Sequence, residues 1–260
     1  MGQKLKSYLA ETYATFLIVV MFGGFIFVER PGLIRLPALR QTRPLSAAVI
    51  DELAATAPDP DSVNNMTISL EKAGYKVDYY GPKEVTVDLF KRLPSLGYGI
   101  LVLRSHSTGW VGDVIATVTS EPYSADKYTN EQLANQVVRV HIGVDNKDYF
   151  GITPKFVREL MQGTFSSSIV IMMGCTGLIN SEMAQAFVAR GAEVFISWKQ
   201  VIFVNRADGA AEALIQLMIG GRPVKEAVAV ASEAAPPGPD SNSQLAYYPL
   251  DRESLVLSSR

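Results

Sequence analysis

The chain has 260 residues, 48% of them hydrophobic, and its 24 basic and 26 acidic residues leave a net charge of −2. This length allows one large domain or two small ones with an ample core, and the absence of a long basic run disfavours a nucleic-acid-binding protein. A single cysteine excludes an internal disulfide framework and a multi-cysteine zinc site, and we expect no cofactor and no metal.

A long uncharged stretch covers residues 12–28. Glu11 and Glu29 bound it, and basic residues lie beyond them on both sides. Its length is at the short end of what a membrane-spanning helix needs. We therefore predict a transmembrane helix in residues 1–30 and the lipid bilayer as a partner. Four arginines follow the stretch, which favours a cytoplasmic catalytic domain on a single-pass membrane protein. A cleaved signal peptide and a buried core element are the alternatives, although no small-residue cleavage site follows.

Residues 31–44 place three prolines among arginines and are predicted to be a linker. Residues 45–260 alternate apolar strand patterns with helical spacing. The strand patterns lie at 47–50, 75–80, 98–106, 168–175 and 192–198, and the helical ones at 62–73, 86–93, 155–162, 181–189, 208–219 and 224–234. This alternation predicts an α/β domain, a three-layer α/β/α sandwich with a mostly parallel sheet.

The region 110–150 departs from this alternation. Residues 114–119 and 136–144 alternate apolar and polar side chains, as antiparallel strands do, and the polar stretch 120–133 lies between them. We predict an inserted β-hairpin there.

Two apolar strands end in residues suited to nucleophilic chemistry. One leads to His106, one of two histidines, and the other leads to Cys175, the only cysteine. Because carboxyl ends of neighbouring parallel strands meet at one sheet edge, the sequence predicts a base and a thiol side by side. Gly174 and Gly177 permit a tight turn around the cysteine, and a helix expected just after it would lower the thiol pKa. A buried structural thiol is the alternative.

Other candidate site residues are predicted at or just after the carboxyl ends of the same set of strands. Backbone N–H groups of Cys175 and of Ser107 or Gly109 are the expected oxyanion donors. Trp198 ends the fifth strand and is expected to line a substrate groove with an exposed indole; packing beneath the helix at 208–219 is the alternative. Asp51 ends the first strand and is a weaker substrate-binding candidate that would favour a basic side chain.

A second histidine offers an alternative base. His141 lies within the predicted hairpin, and a strand interior favours a structural or surface role for it.

The order of these motifs resembles the caspase-like cysteine peptidases of clan CD, which include caspases, gingipains, legumains, separases and CHAT domains. The resemblance is carried by LVLRSHS, IVIMMGCTG, GAEVFISWKQ and GGRPVKEAVAVA, covers roughly residues 45–258, and is nearest to CHAT and gingipain-like domains. It implies a caspase-like fold and thiol-mediated hydrolysis of a protein or peptide by Cys175 and His106. Ser107 stands where the family usually has glycine.

Two other classes of function fit the same sequence. One is a catalytically inactive caspase-like module that binds or scaffolds other proteins, and the other is a non-peptidase hydrolase on a flavodoxin-like sheet. Fold alone does not decide among them.

Overall fold

The computed structural model describes residues 43–109, 115–234 and 242–257. The predicted anchor at 1–30 and all of the predicted linker except residues 43 and 44 lie outside the described residues. Within the described part of the chain, no helix has the length and apolar character needed to cross a membrane.

Helices and strands alternate along most of the described chain. The strands are β1 (Ser46–Asp51), β2 (Lys76–Tyr80), β3 (Ile100–Arg104), β4 (Ser107–Thr108), β5 (Ala116–Pro122), β6 (Val137–Ile142), β7 (Lys147–Ile152), β8 (Ile169–Met172), β9 (Val194–Trp198) and β10 (Leu245–Tyr248). The α-helices are α1 (Pro60–Lys72), α2 (Val87–Arg92), α3 (Thr129–Leu133), α4 (Pro154–Glu159), α5 (Glu182–Ala189), α6 (Val204–Ile219) and α7 (Val224–Ala234). Short 3-10 helices lie at Leu53–Ala55, Leu93–Leu96 and Leu250–Arg252.

The larger sheet has six strands in the order β2-β1-β3-β8-β9-β10. Every neighbouring pair is parallel except β9 with β10, which is antiparallel. The predicted α/β class with a mostly parallel sheet is therefore confirmed. Each of the five predicted strands forms one of the parallel strands. The strands β1, β3, β8 and β9 are apolar and buried, as suits strands covered on both faces, whereas β2 is partly exposed.

The two faces of this sheet are buried in two separate cores. In β3, Ile100 and Val102 belong to one core, and Leu101 and Leu103 to the other, as the alternation of side chains along a strand requires. Helices α1, α6 and α7 contribute to the first core, whereas α2, α4 and α5 contribute to the second. The strands β1, β3, β8 and β9 consequently have both faces covered, and functional groups are left to the carboxyl ends of the strands.

The insertion after β3 is a second, antiparallel sheet in the order β4-β5-β7-β6. The prediction of a simple hairpin is wrong, because β7 lies between the two segments that were expected to pair. The turn before β7 has a local cause. Asp145 accepts a hydrogen bond from the Lys147 N–H at 3.2 Å, and Asn146 adopts a φ of 55°, a left-handed conformation that asparagine tolerates.

Two glycines that follow helices offer a test of packing at the end of α5. Gly191 has a φ of 102° and a Cβ built on it would lie 2.4 Å from the Phe165 carbonyl oxygen, whereas Gly221 has a φ of 81° and open space around it. Alanine at either position lowers the free energy of unfolding by about 1 kcal/mol, because a residue with a Cβ is disfavoured at positive φ. We expect Gly191→Ala to lose about 1–3 kcal/mol more than Gly221→Ala, measured by urea unfolding. Equal losses would show that the backbone at Phe165 moves aside.

Candidate functional site

The segments that carry His106 and Cys175 leave the sheet at the same edge. Strands β3 and β8 are parallel neighbours, with Leu103 in register with Met172. One residue further, the N–H of Met173 donates to the carbonyl of Leu103 at 2.8 Å. Strands β3 and β8 therefore separate only after this bond, and the residues that follow the two strands begin side by side.

The histidine segment (residues 105–109) and the cysteine segment (residues 174–179) also touch each other. The Ser107 hydroxyl donates a hydrogen bond to the carbonyl oxygen of Cys175. At Gly174, an added Cβ would lie 2.5 Å from the Ser105 carbonyl oxygen and 2.7 Å from Ser107 Oγ. Only glycine allows this approach, so Gly174 is the residue that lets the cysteine segment pack on the histidine segment.

Cys175 is half-buried, and its thiol donates to the carbonyl oxygen of Ile202 at 3.3 Å. Helix α5 begins at Glu182, with residues 176–181 between it and the cysteine. The prediction that a helix N-terminus lies at the thiol is wrong, because the chain first forms a turn over these six residues. The thiol instead contacts the Ile202 carbonyl, in the chain between β9 and α6.

The cysteine segment rests on residues 198–202, which we call the support segment. The N–H of Thr176 donates to the Gln200 carbonyl at 3.1 Å, and the N–H of Leu178 donates to the Trp198 carbonyl at 2.9 Å. Together with the thiol bond to Ile202, three alternate carbonyls of the support segment hold the cysteine segment. The end of β9 and the residues after it thus help to position the thiol.

Trp198 lies at the predicted sheet edge, but its side chain is completely buried. It belongs to the same core as Ala210 and Leu214 of α6. The expectation of an exposed indole is therefore wrong, and the structure matches the alternative of packing beneath that helix. The contribution of Trp198 to the site is its backbone carbonyl.

His106 is held at two points by the segment after β1. Its backbone N–H donates to Glu52 Oε2 at 2.7 Å, and its ring Nε2 lies 3.0 Å from Thr56 Oγ1. Burial lowers the pKa of His106, nearby Asp145 opposes this and Arg104 adds to it. The neutral imidazole is therefore favoured, which is the form that accepts a proton as a general base.

The second histidine is far less enclosed. His141 is exposed on β6, and its Nδ1 lies 3.0 Å from Asp148 Oδ1. This surface contact agrees with the structural or surface role predicted for His141.

Glu52 is a site residue that the sequence reasoning missed. Its side chain is buried, and burial raises its pKa to about 8, against the opposing effect of the hydrogen bond from the His106 N–H. A carboxyl group with this pKa is protonated at neutral pH. The available signal was its position, because Glu52 directly follows an apolar strand at the edge where the other polar groups collect.

Asp51 is part of a buried ion network. Its Oδ1 accepts from Arg104 Nη1 at 2.7 Å and its Oδ2 accepts from the Tyr79 hydroxyl at 3.1 Å. Arg104 also donates to both carboxylate oxygens of Asp208, each at 2.8 Å. Burial lowers the pKa of Arg104, but the hydrogen bonds to Asp208 and Asp51 outweigh this and leave it above its ordinary value.

This network changes the role expected of Asp51. The carboxylate is 2% exposed and is already engaged by a guanidinium, so it does not offer the free charge that the predicted recognition of a basic side chain requires. It borders a cavity of ≈ 400 Å³ that Tyr79 and the first turns of α1 also line. Sequence reasoning missed Arg104 and Asp208 as partners, since they lie 104 positions apart.

The residue after the cysteine has an unusual backbone conformation. Thr176 has a φ of 57°, which is uncommon for a β-branched side chain. A Cβ built on Gly109 would lie 3.2 Å from Thr176 Oγ1, so Gly109 lies beside the cysteine segment. The predicted oxyanion donors Cys175, Ser107 and Gly109 thus come from touching segments, and their role stays a prediction.

Among the residues that the structure describes, no three His, Cys, Asp or Glu side chains group to hold a metal ion. Comparison with protein-family models gives no match for this chain, and comparison with curated protein sequences also gives none.

The buried network can be tested by removing the Arg104 guanidinium. Arg104→Ala leaves two buried carboxylates without their partner, and we expect a loss of about 3–5 kcal/mol in the free energy of unfolding. Arg139→Ala is the control, because it breaks an exposed ion pair with Asp148 and should cost at most about 1 kcal/mol. Similar losses in the two variants, measured by urea denaturation, would contradict a dominant role for the network.

Glu52 should make the protein less stable as pH rises. Its pKa increases from 4.5 to about 8 on folding, so between these values the native state binds a proton that the unfolded chain has released. The free energy of unfolding therefore falls with pH across this window, by at most about 5 kcal/mol. Glu52→Gln stays neutral and can still accept from His106, so its melting temperature should exceed that of wild type at pH 8.5 and match it at pH 4.5.

Glu52→Ala is the control for this experiment. It removes the acceptor of the His106 N–H, so we expect lower stability than in Glu52→Gln at every pH. A wild-type stability curve that does not fall between pH 5 and 8 more steeply than that of Glu52→Gln would contradict the assignment.

Proposed function

We propose that this protein is a caspase-like cysteine endopeptidase in which Cys175 is the nucleophile and His106 is the general base. The observation that carries the proposal is the pairing of β3 with β8, from whose ends the histidine and cysteine segments emerge in contact. A six-stranded sheet with helices on both faces agrees with the resemblance of the sequence motifs to that superfamily. The substrate is a protein or peptide.

The proposed reaction begins with a proton transfer. Because His106 Nε2 lies 3.0 Å from Thr56 Oγ1, Nδ1 is the ring nitrogen proposed to take the thiol proton, after the thiol turns away from the Ile202 carbonyl. The sulfur then attacks the carbonyl carbon of the scissile peptide bond, and backbone N–H groups of Cys175 and of Ser107 or Gly109 stabilise the oxyanion. The imidazolium protonates the leaving amine, and a thioester remains on Cys175. Water, deprotonated by His106, hydrolyses this thioester and restores the thiol.

Thr56 has a positioning role in this proposal. Its hydroxyl contacts the ring of His106 and fixes the direction in which the other nitrogen points. The buried, neutral state favoured for His106 allows it to accept the thiol proton near neutral pH.

Activity should depend on both proposed catalytic groups. Cys175→Ala should abolish cleavage of a fluorogenic peptide library, and His106→Ala should reduce it by about 100-fold or more. His141→Ala is the matched control, because it removes the other histidine from an exposed position, and it should retain wild-type activity. Turnover retained in Cys175→Ala would rule out covalent thiol catalysis.

The inactive scaffold module and the non-peptidase hydrolase make different predictions. A folded wild-type protein that cleaves no peptide and does not react with electrophilic peptide probes would favour the inactive module. Hydrolysis of small esters by Cys175 without cleavage of peptides would favour the non-peptidase hydrolase.

We also propose that residues 1–30 anchor the protein in a membrane with its catalytic domain in the cytoplasm. The support is the uncharged stretch 12–28 and the arginines after it. The full chain should fractionate with membranes and need detergent for release, whereas a chain beginning at Leu45 should not. Equal solubility of both proteins without detergent would overturn the anchor.

A further inference from the structure

We propose that three exposed apolar side chains in the stretches that carry and contact the thiol, Ile179, Val201 and Phe203, form a recognition surface for an aromatic or branched aliphatic side chain of the peptide substrate. We call them the apolar rim. The inference rests on the proposed function, because the substrate is taken to be the peptide that acylates Cys175.

Two members of the rim lie on either side of the residue that contacts the thiol. Cys175 Sγ donates to the carbonyl of Ile202 at 3.3 Å. Ile202 is 4% exposed, whereas Val201 and Phe203 are 40% and 52% exposed. In an extended chain alternate side chains share one face, so Val201 and Phe203 point away from the core while Ile202 points into it.

The third member belongs to the cysteine segment itself. The N–H of Ile179 donates to the Thr176 carbonyl at 2.9 Å, and Ile179 is 39% exposed. A Cβ built on Gly109 would lie 3.3 Å from Ile179 Cγ2. Ile179 therefore borders the histidine segment, and the rim includes side chains from both the cysteine segment and the chain after β9.

The chemistry of the rim selects an apolar occupant. Residues 200–204 and 176–181 carry no charged side chain, and the acid expected to attract a basic side chain, Asp51, is buried against Arg104. Burial of an apolar side chain against such a surface is favourable, whereas a charged side chain would lose hydration without gaining an opposite charge from these two described stretches. Isolated exposed hydrophobic residues are ordinary, but ligand sites are lined predominantly by hydrophobic side chains, and these three residues lie in the two stretches that carry and contact the candidate nucleophile.

The rim is tested with peptide chloromethyl ketones that differ only in the side chain next to the reactive carbon. In this reaction the sulfur of Cys175 displaces chloride to form a thioether, and its proton leaves with the chloride. We expect acetyl-Ala-Ala-Phe and acetyl-Ala-Ala-Leu probes to label Cys175 at least about tenfold faster than the Ala, Asp or Lys probes. Chloroacetamide, which has no recognition element, reports the intrinsic reactivity of the thiol.

Substitutions in the rim should change recognition and leave the thiol itself unchanged. Phe203→Ala should slow labelling by the Phe probe about tenfold and leave labelling by chloroacetamide at the wild-type rate. Leu133→Ala and Val144→Ala are matched controls, because both remove an exposed apolar side chain from around β6, and they should change neither rate. Equal rates for all peptide probes, or faster labelling by the Asp or Lys probe, would overturn the rim.

A binding measurement separates this inference from the proposed function. Cys175→Ala should bind a dansyl-labelled Ala-Ala-Phe peptide amide more tightly than its Asp and Lys counterparts, as measured by fluorescence anisotropy. Such binding in the absence of cleavage by wild-type protein would refute the peptidase and retain the rim. Wild-type cleavage combined with no preference among the three peptides would retain the peptidase and refute the rim.

Discussion

The position of the candidate site depends on the buried guanidinium of Arg104. It joins the carboxylate at the end of β1 to the carboxylate of Asp208 in α6, and it also donates to the Ala57 carbonyl at 2.6 Å. One side chain therefore connects two neighbouring strands, a helix and the loop between β1 and α1. A buried ion pair is costly to break, but the intact pair stabilises a fold little more than apolar packing would. The structural role of Arg104 is therefore to set the positions of these four parts relative to one another.

His106 lies two residues beyond Arg104 and is positioned from the same loop. Glu52 holds its backbone and Thr56 contacts its ring, so the loop after β1 determines both where the histidine lies and which way it faces. The protonated state favoured for Glu52 at neutral pH avoids an additional buried negative charge next to Asp51. Substitution of Glu52 or Thr56 would therefore alter the position of the imidazole, and substitution of Glu52 would also alter the charge near it.

The main features of the fold followed from local patterns, because five strand patterns separated by helical spacing permit few arrangements other than a parallel sheet. The same reasoning placed His106 and Cys175 at one edge. It failed where a feature depends on contacts between residues distant in sequence. Strand β7 lies between β5 and β6, which were expected to pair, and the indole of Trp198 is buried in the core beneath α6. Asp51 was found by position, but its engagement by Arg104 depends on tertiary packing that a strand pattern does not contain. Glu52 carried a signal in its position, and only its burial revealed its altered pKa.

The way in which the cysteine segment is attached to the support segment has a dynamic consequence. The bonds from the Thr176 and Leu178 amides and from the thiol all go to alternate carbonyls of one short stretch, as in the edge of a sheet. These bonds cannot open independently without distorting the turn that connects them. The two amides should therefore exchange their hydrogens with solvent in a single cooperative opening, and that same opening would release the sulfur from the Ile202 carbonyl.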